Sequence, residues 1–353
     1  MYLKKVTFAA MNYFGELISL TVALSWTMSA LFFEYAGKKI GSLSVNLIRL
    51  LFAFVMLGGM LYIFTGSMLP VGADGDTWMW MSLSGLVGFV FGDLCLFYSY
   101  LVITARFSQL LMTLAPPFAA LFGWMLLGER LSAGGFLGMA VTLTGIAISV
   151  LKRGSNGEQA VIKEGVAQIE SESVQKQSAG EKSGKHTRIV GNLHLHLPLK
   201  GVLLGVGGAL GQGLGIVLSK QGMISYHEAI GADSPIGSFV PFAATQIRII
   251  TGVVGFVLII LLSGRLEVFK GALKNRKGMT ATFFGSIFGP FVGVSLSLMA
   301  VQYTNTAIAS TIMATTPIII IVPYILLYKK RISAIEILGA ILSVAGVSLF
   351  FLL

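Results

Sequence analysis

Asp93 is the residue most able to do chemistry in this chain. It sits in the apolar run GFVFGDLCLFYSYL, with no basic residue nearby in sequence. An acid inside a bilayer is costly, so such residues generally face a cavity and serve function. Asp93 could bind a cationic group or carry a coupling proton. The competing reading is a hydrogen-bonded acid that stabilises helix packing.

A second signal is a pair of prolines. TLAPPFAALFGWMLLGERLS begins at Thr113, and ATTPIIIIVPYILLYKKRIS begins at Ala314. Pro116 recurs as Pro317, Arg130 as Arg331 and Ser132 as Ser333, each 201 positions on. Proline inside a helix removes one hydrogen bond and pushes away the carbonyl four residues earlier. Pro116 and Pro317 therefore free the carbonyls of Met112 and Met313, and Pro117 frees that of Thr113. In hydrocarbon a freed carbonyl needs a partner or a water-lined cavity. Paired helix breaks near the membrane midplane point to a substrate site; a packing kink is the alternative. Gln109, Thr113, Thr315 and Thr316 lie within a turn or two and could hydrogen-bond a solute.

Arg49 and Arg248 form another pair, 199 positions apart. Each is expected about one turn inside a membrane helix. They could close a gate, bind a carboxylate, or snorkel to the interface. Glu16 and Glu34 fall near expected helix ends, where solvation or snorkelling accounts for them. Metal chemistry finds no support. Cys95 is the single cysteine, which excludes an intramolecular disulfide and a cysteine-based metal site. His194 and His196 have no third ligand nearby. No metal and no cofactor are expected.

The elements that must position these residues follow from composition. Only 11% of the 353 residues are charged and 55% are hydrophobic, with a mean hydropathy of +0.84. A soluble domain carries about 25% charged residues, so lipid must be the main solvent. The 43 glycines suit membrane helices, where small residues let backbones approach. The net charge of +10 fits basic cytoplasmic loops better than nucleic-acid binding. A spanning helix needs about 20 mostly apolar residues. Ten such runs are expected, near 15–36, 43–65, 78–101, 105–127 and 133–151, then 201–223, 238–262, 279–302, 306–327 and 333–353. The first is too long for a signal-peptide core and shows no clear cleavage site.

Residues 152–199 are rich in Glu, Lys, Gln, Ser and Gly and lack aromatics, the composition of a disordered linker. The repeat runs on both sides of it. Gly88 and Gly92 match Gly289 and Gly293, Met112 matches Met313, and Gly138 and Gly145 match Gly339 and Gly346, all at offset 201. Earlier the offset falls to 199 at Arg49 and Arg248, and to 186 at Gly15 and Gly201. The step of 13 places an insertion around SYHEAIGADSPIGS. The expected fold is thus an all-α integral membrane protein, with ten transmembrane helices as two inverted five-helix repeats. Its regions are 1–151, the linker 152–199, and 200–353. Five is odd, so the second unit enters the membrane upside down, an arrangement typical of secondary transporters.

These two five-helix halves resemble the EamA type of the drug/metabolite transporter superfamily. The resemblance rests on the Pro-containing fourth helix, the GERLS turn at Gly128–Ser132 and the glycine-spaced fifth helix with Gly138 and Gly145. It covers nearly everything outside the linker and is better in the first half. It implies a ten-helix bundle that moves small metabolites, often by exchange or proton coupling. It also implies that the first and sixth helices line the cavity. That makes Trp26 and Gln212, matched at offset 186, candidate solute contacts. In the second half the turn's Gly-Glu is replaced by Lys329-Lys330, which leaves Glu129 a gating or structural residue rather than a chemical one.

The expected function is a secondary transporter of small metabolites or drugs by alternating access, multi-pass in the cell (inner) membrane. Its partners are a small-molecule solute and membrane lipid, with no nucleic acid; a homodimer is compatible with the sequence. There is no Walker-type phosphate loop to support direct ATP drive. The rivals are a non-transporting receptor or scaffold and, more remotely, a membrane-embedded enzyme. The enzyme would need clustered titratable groups at one depth, and none of the four histidines falls clearly inside an expected helix. The Lys and Arg distribution places both termini outside and the linker inside, whereas the family resemblance implies the reverse.

Overall fold

The computed structural model describes residues 13–151, 198–231, 236–319 and 334–352. Among them the chain is all-helical, with no strand. Residues 152–197 of the expected linker, with His194 and His196, and the turn at Lys329-Lys330 lie outside the described residues, while Pro198 and Leu199 begin the next helix instead of ending the linker. The helices are α1 (Phe14–Ile40), α2 (Ser42–Thr65), α3 (Gly75–Gly85), α4 (Leu94–Leu111), α5 (Ala115–Leu127), α6 (Ala133–Leu151) and α7 (Leu199–Ile230). They continue as α8 (Val240–Leu262), α9 (Leu266–Lys274), α10 (Arg276–Ser286), α11 (Ser295–Tyr303), α12 (Thr306–Met313), α13 (Thr316–Ile319) and α14 (Ala334–Leu352). Two π-helical segments, Leu86–Asp93 and Ile287–Val294, join α3 to α4 and α10 to α11.

Seven helical stretches among the described residues are long and apolar enough to cross a membrane. Shorter apolar helices at Ala133–Ile148, Thr306–Ile319 and Ile337–Leu349 stand at the other three expected positions. The outer surface is apolar as well: Ile63 is 78% exposed and Leu262 86% exposed. A water-soluble monomer does not leave apolar area of this kind uncovered. The chain is a polytopic helical membrane protein.

Several expected boundaries shift. α1 runs to Ile40, where Gly41 takes a φ of 78° and returns its N–H to the Gly37 carbonyl at 2.9 Å. That left-handed conformation favours glycine, and α2 starts one residue later. α7 runs to Ile230, so part of the inserted stretch extends a membrane helix. α9 was not expected; its exposed Lys270–Glu267 pair, at 2.7 Å, is the mark of a wet surface turn. No loop separates the third and fourth expected spans, because the backbone is helical throughout Leu94–Leu111. The chain still reverses there. The Ser99 and Ser108 hydroxyls meet at 2.7 Å, whereas nine residues along a straight helix span about 13.5 Å.

Helix starts use short polar caps. Asp74 accepts from the Thr77 amide at 2.9 Å; hydrogen bonds from Thr77 hold its carboxyl below the usual carboxylate range. Asn275 caps α10 and Asn305 caps α12 in the same manner. Inside the bundle, hydroxyls bond the carbonyl one turn back, as Ser19 does to Gly15 and Thr27 to Ala23, at 2.8 and 2.9 Å. This removes unpaired donors from a medium that cannot solvate them.

The two parts of the chain pack crosswise. α1 lies along α10, the second π segment and α11, while α7 lies along α3, the first π segment and α4. A Cβ on Gly211 of α7 would fall 2.6 Å from the Gly92 Cα, and one on Gly215 3.1 Å from the Gly88 Cα. Only paired glycines allow that approach. α6 and α14 meet along their lengths, with the Ser343 hydroxyl donating to the Thr142 carbonyl at 3.1 Å.

Candidate functional site

The site is built where the helices are irregular. Both π segments span eight residues and begin 201 positions apart. π-bulges frequently mark functional sites. Asp93 closes the first. α5 begins after a 3-10 turn at Met112–Leu114, with its prolines in the first helical turn. The Met112 carbonyl, freed by Pro116, takes the Ala115 amide instead. The Met313 carbonyl, freed by Pro317, accepts the Thr316 hydroxyl at 2.8 Å. Each break is thus satisfied locally, by a tightened turn in one case and a side chain in the other.

Asp93 is paired across helices. Arg49 on α2 donates through Nη2 to Asp93 Oδ2, and its Nε donates to Asn46 Oδ1 at 3.1 Å. The absence of a basic residue beside Asp93 in sequence is therefore no guide to its partner, which comes from 44 residues upstream. Arg49 is only 3% exposed, so it does not snorkel. Its guanidinium carbon lies 4.8, 5.6 and 5.7 Å from the ring centroids of Phe97, Phe89 and Phe33. Cation–π attraction strengthens in such a desolvated aromatic box. Arg248 on α8 is buried too, 4.5 Å from the other guanidinium's neighbour Phe89. Its Nε is buried with no hydrogen-bond partner.

A cavity of about 90 Å³ adjoins this group. Its walls include Trp26, Arg49, Asp93, Gln109, Gln212, Thr316 and Pro317, with Phe33, Phe89, Phe97 and Tyr100 as aromatic lining. Both parts of the chain contribute. Gln109 donates to the Tyr100 hydroxyl at 2.6 Å. Thr113, Pro116, Thr315 and Arg248 are not part of the wall. The Thr113 and Thr315 hydroxyls are turned back onto the Leu110 and Ile312 carbonyls, at 2.6 and 2.7 Å.

The cavity runs from Trp26 toward Phe33, Tyr100 and Gln109, away from the start of α1. A second charged group lies beside the start of α1. Lys220 on α7 pairs with Glu129 Oε1 at 2.6 Å and donates to the Thr304 carbonyl at 3.0 Å. Glu129 Oε2 accepts the Thr306 amide at 3.1 Å and the Thr306 hydroxyl. The Thr304 hydroxyl donates to Glu16 Oε1 at 2.7 Å. Glu16, expected to be solvated or snorkelling, is instead buried, with Oε2 unpartnered. α11 ends beside it, at Tyr303, next to the Thr304 that donates to it. Lys220 carried no signal in the sequence beyond its charge. His227 also proves to lie inside a helix, in the last turn of α7, where its Nε2 meets Gln302 Nε2 at 2.7 Å. Among the described residues no three His, Cys, Asp or Glu side chains gather as a metal site.

The described residues form a multi-pass helical bundle with broken helices beside a largely apolar cavity that carries a few polar side chains, the architecture of a polytopic membrane protein. The model of the EamA-like transporter family matches residues 13–151 and 199–352, and the chain belongs to that family. Sixteen chains of solved structures match it. One of them, a crystal structure described only as that of a protein, aligns over 97% of each chain with a TM-score of 0.63 and 14% identity. That likeness concerns the fold alone. No curated protein sequence matches the chain.

Proposed function

We propose that this protein is a secondary transporter of small metabolites or drugs in the cell membrane, working by alternating access and driven by exchange or by a coupled ion or proton. We read its helices as two inverted five-helix repeats, residues 1–151 and 200–353, joined by the linker 152–199. The observation that carries this reading is the pairing of irregularities around one cavity. π segments begin at Leu86 and Ile287, and helix breaks precede Pro116 and Pro317. Repeated discontinuities of this kind surround the midplane site in repeat transporters. Trp26, Asp93, Gln109, Gln212, Thr316 and Pro317 are the proposed solute contacts. Glu129, with Lys220 and Thr306, acts as the closed gate at the α1 start.

The test is counterflow in proteoliposomes with a solute found by thermal-shift screening of the purified protein. Trp26→Ala and Asp93→Asn should each reduce flux at least about tenfold, the scale of one lost charged or aromatic contact. Full flux in both variants would remove the proposed site.

A further inference from the structure

Among the described residues the charges beside the cavity do not balance. Arg49 and Arg248 are both buried, and Asp93 is the acid that faces them. Val294 stands where the repeat would put a second acid. Their guanidinium carbons, at 5.6 and 4.5 Å from the Phe89 centroid, lie within about 10 Å of each other. Arg49 is neutralised by Asp93. Arg248 makes no hydrogen bond or ion pair among the described residues, and its buried Nε has no acceptor. Arginine stays charged in proteins, so the group carries one positive charge in excess, in a medium that solvates it poorly. The Phe89 face offsets part of that cost but is not an anion.

Building on the cavity reading above, we propose that the solute is an organic monocarboxylate, whose carboxylate exchanges with Asp93 for the Arg49 guanidinium while Arg248 supplies the uncompensated charge. The geometry favours this class over the others. A cationic solute would meet two arginines for one acid. A phosphate dianion would want more donors than one freed guanidinium and the Gln109 and Gln212 amides provide. The aromatic wall of Phe33, Phe89 and Phe97 suits the apolar remainder of a carboxylic acid.

The test is isothermal titration of the full chain in nanodiscs with acetate, butyrate and phenylacetate, their amides, phenethylamine and inorganic phosphate. At least one carboxylate should bind about tenfold or more tightly than its amide, the effect of one charge near 10 Å at an effective dielectric of about 20. Arg248→Gln should remove that preference, Arg248→Lys should keep it, and Asp93→Asn should strengthen carboxylate binding by freeing Arg49. Amides or phenethylamine binding as well as the acids, phosphate binding in their place, or weaker carboxylate binding in Asp93→Asn would overturn the proposal. If amides or amines bind and Trp26→Ala abolishes that binding, the cavity stands and only the charge class falls. If nothing binds and Trp26→Ala changes nothing, both fall.

Discussion

Two helix crossings sit at equivalent places in the repeat and are built differently. Where α7 crosses the first π segment, Gly211 and Gly215 lie on Gly92 and Gly88, backbone against backbone. Where α1 crosses the second, the matching residues are Ser25 and Ser29, opposite Gly293 and Gly289. There the Ser25 hydroxyl donates to the Phe288 carbonyl at 2.6 Å, and the Trp26 ring covers Gly293. The glycines of the two π segments are shared. Some residues that face the cavity are not: Trp26 stands against Gln212, Asp93 against Val294. The repeat supplies a frame, and the chemistry has been written onto one side of it.

The largest effect should come from breaking the asymmetric charge. Arg49→Leu leaves Asp93 buried and unpaired, which costs about 3–5 kcal/mol and should appear as a collapse of the thermal unfolding midpoint or of folded yield. Arg49→Leu combined with Asp93→Leu should recover most of that stability, because a buried ion pair can be replaced by apolar groups, yet remain inactive in counterflow. A double variant that transports would contradict the functional half of the comparison.

Next comes the frame. In Gly211→Ala the new Cβ meets the Gly92 Cα at 2.6 Å, which only a backbone shift can relieve. A loss of about 1–3 kcal/mol is expected in thermal or denaturant unfolding. Gly289→Ala meets the Ser29 hydroxyl at 2.6 Å and the Phe33 ring at 3.0 Å, side chains that can move; it should cost less stability and more activity. Equal behaviour of the two would blur the distinction between crossings.

The gate should be milder still. Glu129→Gln removes the Lys220 ion pair and weakens the hold on Thr306, about 1–2 kcal/mol for charge-assisted bonds. It should raise the accessibility of the cavity from the α1 start, read by thiol labelling. The smallest effect belongs to Ser25→Ala, which loses one hydrogen bond worth about 1 kcal/mol, seen as a small shift in unfolding midpoint.

Much of this arrangement was legible in the sequence, for identifiable reasons. Apolar run length reports membrane helices because the bilayer sets a length. The offset of 201 marked Gly88, Gly92, Gly289 and Gly293, and these lie inside the π segments. It also marked Pro116 and Pro317, which sit where the helices break. What failed was anything set by contact across helices. Arg49 reaches Asp93 through space, so linear spacing left the acid alone. Glu16 looked like an end-of-helix charge until the α11–α12 corner brought the Thr304 hydroxyl onto it, and Lys220 gave no hint of its partner Glu129. Thr113 and Thr315 looked like solute ligands, but a threonine hydroxyl in a helix has its own backbone carbonyl within reach. The break expected between 101 and 105 falls where the chain reverses, although the backbone stays helical through it.

The central claim is that the cavity between the repeats opens alternately to the two sides of the membrane. The direct measurement places one cysteine in its wall, Ser310→Cys on a Cys95→Ala background, in sealed vesicles of known orientation. A membrane-impermeant maleimide is then applied from one side or the other. The account predicts labelling from either side, with a bound solute protecting against both. Labelling confined to one side under every gradient and solute condition would contradict alternating access.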